Sequence, residues 1–198
     1  MVNETPVLFG LVLAGGESRR MGSDKALLRH GNETQLDYAM RIVGAEVEQA
    51  FVSARAAQPD AVRARYPLIN DEYEGLGPLA GILSAMDFDP QVAWLVMACD
   101  LPNVTSDTLQ ALIAGRDAHR PFTAFRSSHN ELPEPLCAIY EPGARQLLDG
   151  FVHDGVACPR KIMIRSNSCL LTQNDPAWLD NVNTPEDLAR SSLQAAAV

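Results

Sequence analysis

The chain has 198 residues, enough to bury a core without disulfides or structural metals, and is read as one domain over 1–198. Hydrophobic residues make up 46% of it and charged residues 21%, which sets disorder aside except at the ends. The formal net charge of -9 excludes a general nucleic-acid binder, because affinity for a phosphate backbone needs a basic surface.

Residues 7–13 form a nearly unbroken apolar run that ends at Gly15 and Gly16, the pattern of a strand buried on both faces of a parallel sheet. The run follows Glu4 and no basic residue, and it is too short to span a bilayer, so a cytoplasmic enzyme without a membrane partner is expected. From Gln35, the residues Leu36, Ala39, Met40 and Val43 recur at helical spacing, and Phe51 and Val52 mark a second strand. Leu68 and Ile69 lead into Asn70 and Asp71. A turn-rich stretch over 74–77 follows, and Pro78 opens a helix with Leu79, Leu83 and Met86 on one face.

Residues 92–98 read as the next buried strand, ending at Asp100, and Thr105 or Ser106 caps a helix running through Leu109 and Leu112 towards Gly115. The second half is less regular. Apolar stretches at 122–125 and 136–140 flank a polar segment, 127–135, expected to be an exposed loop or hairpin connection. Thr184, Pro185 and Asp187 make a helix start, and 195–198 a frayed tail. Strands alternating with helices predict an α/β fold: a three-layer α/β/α sandwich on a mainly parallel, Rossmann-like sheet. The cysteines Cys99, Cys137, Cys158 and Cys169 show neither a CxxC pair nor zinc-ligand spacing and are expected to be reduced and mostly structural.

The segment LAGGESRRMGSDK, from Leu13 to Lys25, leaves the first strand and gathers three glycines, two arginines and a lysine. Glycines let backbone N–H groups converge on an anion, and the cations neutralise what the amides cannot. Neither a Walker A loop nor GxGxxG is present, so the P-loop and dinucleotide-binding readings fail. Lys25 suits a mobile point charge on a triphosphate and Arg20 a planar contact to two oxygens, while Arg19 is placed towards water. Asp100 sits past the C-terminal end of a buried strand, where open α/β sheets place ligands. A carboxylate there can hold Mg²⁺ against phosphates or cap the turn before Pro102.

The same segment resembles the signature loop, LAGGxSxRMGxDK in outline, of the nucleotidyltransferases that modify the molybdenum cofactor. The likeness continues through Asp71, Gly77-Pro78-Leu79-Ala80-Gly81, Asp100-Leu101-Pro102 and the NVNTPED stretch at 181–187, and so spans most of the chain. The chain is therefore similar to the molybdenum cofactor guanylyltransferases, with a fold of the nucleotide-diphospho-sugar transferase type.

The resemblance implies transfer of GMP from GTP to the terminal phosphate of molybdopterin, with release of pyrophosphate and with Mg²⁺ as cofactor. It assigns the nucleotide to Leu13, Ala14, Gly15, Gly16, Arg20, Lys25, Asp71, Gly77, Pro78 and Asp100, with Lys25, Asp100 and Arg20 carrying catalysis and Asp100 the metal. Asn181 and Asn183 then face molybdopterin. Other cofactor-maturation proteins and acceptor molybdoenzymes are the further partners implied.

Local chemistry leaves other readings open: Asp71 as a loop stabiliser, the two asparagines as turn residues, and the basic stretch 158–161 as either a phosphate contact or a solvated turn. Ser53 departs from the family pattern, which often carries an asparagine after the second strand. Rival activities are cytidylyl transfer and transfer to a sugar phosphate. A rival of another class is a GTP-binding module that transfers nothing.

Overall fold

The computed structural model describes residues 5–15, 24–55, 61–182, 187 and 193–194. The first apolar run forms β1 (Leu8–Leu13), and its neighbouring residues Leu11 and Val12 pack into separate cores on the two faces of the sheet. Successive strand side chains point to opposite faces, so an apolar strand without polar alternation must be covered on both. One face is covered by α1 (Gln35–Gly44) and α3 (Ser106–Ala114), the other by α2 (Pro78–Phe88), α4 (Ala144–His153) and α5 (Pro159–Ile164). This is the three-layer α/β/α sandwich.

The short pairs β2 (Arg29–His30) and β3 (Glu33–Thr34) precede α1 and join β10 (Leu193–Gln194) in a small separate sheet. The main sheet adds β4 (Ala50–Ala54), β5 (Leu68–Asn70), β6 (Ala93–Ala98), β7 (Phe122–Arg126), β8 (Pro133–Tyr140) and β9 (Cys169–Leu171). Its order is β5-β4-β1-β6-β8-β7-β9, and only β8 runs against the other strands. The sheet is thus mainly parallel. Strand β6 is buried along its whole length, each fully buried aliphatic side chain contributing about 1.5–3 kcal/mol.

Helix starts follow the local chemistry. Thr34 and Asp37 form a capping box at α1, Thr105 caps α3, and Pro78 takes the first position of α2. The segment expected to be a loop over 127–135 is shorter than that, because β8 begins at Pro133; proline is tolerated as a strand's first residue, and the register shifts between Ala124 and Arg126. Helices α4 and α5 have no counterpart in the sequence reading. The first does carry a helical period, with Ala144, Leu147, Leu148, Phe151 and Val152 at i, i+3, i+4, i+7 and i+8 packed on the core, whereas the second has six residues and too few turns to show one. The helix start at Thr184 and Pro185 and the tail at 195–198 lie outside the described residues. No helix among the described residues is long and apolar enough to cross a membrane.

Candidate active site

Strand order reverses at β1: the chain passes from β1 outward to β4 and β5, and β6 then returns to the other side of β1. A reversal of this kind leaves a crevice at the C-terminal edge, where open α/β sheets bind ligands. In register, Leu13 pairs with Ser53 of β4 on one side and Ala98 of β6 on the other. The ends of three strands thus lie level around one opening.

A cleft of about 840 Å³ occupies this edge. Leu13, Ala14, Gly15, Lys25, Asp71, Gly77, Pro78 and Asp100, all expected at the nucleotide, line it together. Gly16, Arg19, Arg20 and Asn183 lie outside the described residues. Lys25 opens a short 3-10 turn capped by Asp24, whose carboxylate accepts from Ala26 N–H. From there its ammonium donates to Asp100 Oδ2 at 3.0 Å, a contact between residues 75 positions apart. The pair lies half-buried across the crevice, where a negative ligand would meet both a fixed cation and the carboxylate beside it.

On the β4 side, Ser53 Oγ donates to Asp71 Oδ1 at 2.6 Å. Burial raises the Asp71 pKa above its ordinary 3.8, against the opposing effects of the Ser53 hydrogen bond and the Arg55 charge. Gly81 lies behind this pair, and a Cβ there would stand 2.2 Å from Ser53 Oγ and 3.0 Å from Asp71 Oδ1. Gly75 and Gly77 adopt positive φ of 74° and 57°, open to glycine without strain, and so turn the chain into Pro78 at the N-terminus of α2.

A second hollow of about 370 Å³ adjoins the first, sharing Pro78, Asp100 and Leu136 with it. Asn181 lines this hollow, held near Asp100 by the Val182 N–H, which donates to the Asp100 carbonyl at 3.1 Å. Cys158 and Arg160 line it too. The basic stretch is not a free turn: Pro159 begins α5, and Arg160 donates to the Pro133 carbonyl and pairs with Glu134 at 2.6 Å.

All four cysteines are free thiols, and burial pushes Cys99, at the cleft, up to about 12. Sequence reasoning missed Asp24, Arg55, Arg63 and Tyr73. Arg55 donates to the Gly15 carbonyl at 2.7 Å, and Tyr73 lines the cleft with its hydroxyl bonded to Asp87 and Arg145.

Lys25 and Asp100 meet at the switch point of such a sheet, beside Gly15 at the start of the glycine-rich segment, an arrangement suited to a nucleotide-dependent transferase. The chain belongs to the MobA-like NTP transferase family, whose domain model matches residues 10–168, and is a nucleotidyltransferase. It is 35% identical over 190 residues to a probable molybdenum cofactor guanylyltransferase of Mycobacterium ulcerans, covering 91% of each chain. It is 37% identical to a molybdenum cofactor biosynthesis bifunctional protein of Synechocystis, covering 94% of this chain but only 54% of that relative's length. Among solved structures, molybdopterin-guanine dinucleotide biosynthesis protein A of Archaeoglobus fulgidus is similar with a TM-score of 0.73 and 23% identity, over 92% of this chain and 95% of that one. A 2-C-methyl-D-erythritol 4-phosphate cytidylyltransferase of Thermus thermophilus shares the fold at 10% identity and a TM-score of 0.66, over 92% and 96% of the two chains.

Proposed function

We propose that the protein transfers GMP from GTP to the terminal phosphate of molybdopterin, releasing pyrophosphate and forming a guanine dinucleotide cofactor. The observation that carries this reading is the pair of adjoining hollows with Asp100 common to both and Lys25 3.0 Å from its carboxylate. Two phosphate-bearing substrates brought to one carboxylate and one cation are in position to react with each other. The relatives named guanylyltransferases support guanine over cytosine.

In this reading the larger hollow takes GTP. The β1 end at Leu13, Ala14 and Gly15 faces its phosphates and Lys25 their charge, with Gly16 and Arg20 completing that group. Asp71, Gly77 and Pro78 meet the base and ribose. An anionic phosphate oxygen of molybdopterin attacks the α-phosphorus; the bond to the bridging oxygen breaks, and pyrophosphate leaves with the electron pair. The nucleophile is already charged, so no protein base has to create it, and rate comes from positioning and charge neutralisation. Asn181 and Asn183 offer donors and acceptors to the neutral pterin.

Asp100 is the residue to hold Mg²⁺. Its carboxylate lines both hollows, and a hard oxygen donor there would suit Mg²⁺ brought in with the phosphates. When bound, the cation neutralises charge on the triphosphate. The product would pass to acceptor molybdoenzymes, with or without other maturation proteins.

Pyrophosphate release by the purified protein with GTP, molybdopterin and MgCl₂ tests the reading, with CTP as competitor. Release with GTP and weak competition by CTP is expected. Release with CTP alone would overturn the guanylyl assignment, and GTP binding without release would favour a non-catalytic module.

A further inference from the structure

Arg63 is 1% exposed and does not line the cleft, yet it reaches two parts of the glycine-rich segment at once. It comes from a 3-10 turn, Arg63–Arg65, in the connection between β4 and β5. Its Nε and Nη2 donate to the Ala14 carbonyl at 3.2 and 2.6 Å, and Nη2 also meets the Asp24 carboxylate at 3.0 Å to Oδ1 and 2.8 Å to Oδ2. One guanidinium therefore bridges the residue just after β1 and the residue that caps the Lys25 turn.

Two consequences follow from elementary geometry. The peptide plane is rigid and trans, so a carbonyl held towards Arg63 turns the next N–H, that of Gly15, the opposite way. Asp24 also accepts from Ala26 N–H, so fixing its carboxylate fixes the start of the turn that carries Lys25. A buried arginine suits this task because its planar fork spans several acceptors and stays charged.

We propose that Arg63 is a positioning residue for the triphosphate, setting the Gly15 amide and the Lys25 ammonium from behind the cleft without touching the nucleotide. This rests on the reading of the cleft as the nucleotide site. The grip belongs to the phosphate end, since Asp71, Gly77 and Pro78 are held by other contacts. Loss of the fork should therefore act on the triphosphate and leave the nucleoside monophosphate part of binding alone.

The test is the Arg63→Lys variant, which keeps the charge and loses the fork, titrated with GTP and with GMP in MgCl₂ alongside the parent protein. GTP affinity is expected to fall about tenfold, the size of a lost hydrogen bond to a charged group, with GMP affinity unchanged and the KM for GTP raised. Equal losses for GTP and GMP, or a lowered melting temperature with both affinities intact, would overturn the proposal by showing a structural role only. Should Arg63→Lys not fold, Asp24→Asn weakens the same bridge from the other side and must show the same selective loss; intact GTP binding there overturns the proposal. A parent protein that binds CTP in preference to GTP would instead defeat the guanylyl assignment, and the same comparison would then be made with CTP and CMP.

Discussion

The Lys25 ammonium and the Asp100 carboxylate meet at 3.0 Å across the crevice between β1 and β6, one delivered by the glycine-rich segment and the other by the end of the central strand. Asp100→Asn removes the negative charge and little volume. Its side-chain bond partner is Lys25, and its carbonyl, which accepts from Val182, is untouched. The variant is expected to keep its melting temperature within a few degrees and to lose about a hundredfold or more in kcat, as removal of a single group stabilising charge at the transition state does. Pyrophosphate release measured against Mg²⁺ concentration checks this, and near-normal turnover would take Asp100 out of the metal role.

Lys25→Ala should act on both binding and rate, since a cation near the phosphates is felt in the ground state and in the transition state alike. A loss of about 2 kcal/mol in kcat/KM for GTP, roughly thirtyfold, is the expected size for a charged hydrogen bond. The initial-rate dependence on GTP measures it; unchanged parameters would mean that Lys25 serves only to hold Asp100.

Much of this arrangement was legible in the residues. The unbroken apolar run before Gly15, the helical spacing after Gln35, Pro78 at a helix start and Asp100 past a buried run are local patterns, and each became the element it suggested. What was not legible depends on partners far apart in the chain. Arg63 acts on Ala14 and Asp24, 49 and 39 positions away, from a connection with no period of its own. Ser53 shows in the sequence only as a departure from the family's asparagine, whereas the structure engages its hydroxyl with Asp71, a pairing set by the β4–β5 register. Helix α5 hid because six residues carry too few turns to show a face, and Glu134, which pairs with its Arg160, sits in a stretch that read as loop.

The close packing behind Ser53 gives a coupled prediction. In Gly81→Ala the new Cβ would stand 2.2 Å from Ser53 Oγ, so the serine must rotate and release Asp71, or the helix must shift. Overpacking of this kind costs about 1–3 kcal/mol. In a Ser53→Ala background the clash with the hydroxyl disappears, and the added cost of Gly81→Ala is expected to shrink by about half or more. Urea unfolding of the four proteins of this cycle measures the coupling, and additive effects would show that the Ser53 contact does not limit Gly81.

Asp71 sets a pH dependence whose sign follows from its raised pKa. The native state holds the proton more tightly than the unfolded chain, so stability falls as pH rises from the ordinary value of 3.8 through the native value, and the loss is complete above it. Asp71→Asn removes the burial penalty on the charge while keeping an oxygen for Ser53. It is expected to melt a few degrees higher than the parent near pH 7, with the difference shrinking towards the acid side. Thermal unfolding across that range tests the claim, and nucleotide titration of the same variant should show weakened binding. A variant that melts lower near neutral pH would show that the Asp71 charge stabilises the fold.

The two ends of the candidate site can be separated through Asn181. This residue lines the smaller hollow and not the larger one, whereas Asp100 lines both. Its side chain can both donate and accept, which suits a neutral heterocycle with several ring nitrogens better than a triphosphate, whose oxygens only accept. Asn181→Ala, alone and combined with Asn183→Ala, is therefore expected to leave GTP affinity within about twofold of the parent and to raise the KM for molybdopterin about tenfold, the effect of removing one or two ligand hydrogen bonds. Calorimetric titration with GTP and initial rates at varied molybdopterin give the two numbers. Lost GTP affinity with an unchanged KM for molybdopterin would reverse the assignment of the hollows. Unfolding of the single variant would mean that Asn181 serves the chain's own turn, and Arg160, which lines the same hollow and is already bonded to Glu134, would then be the next side chain to replace.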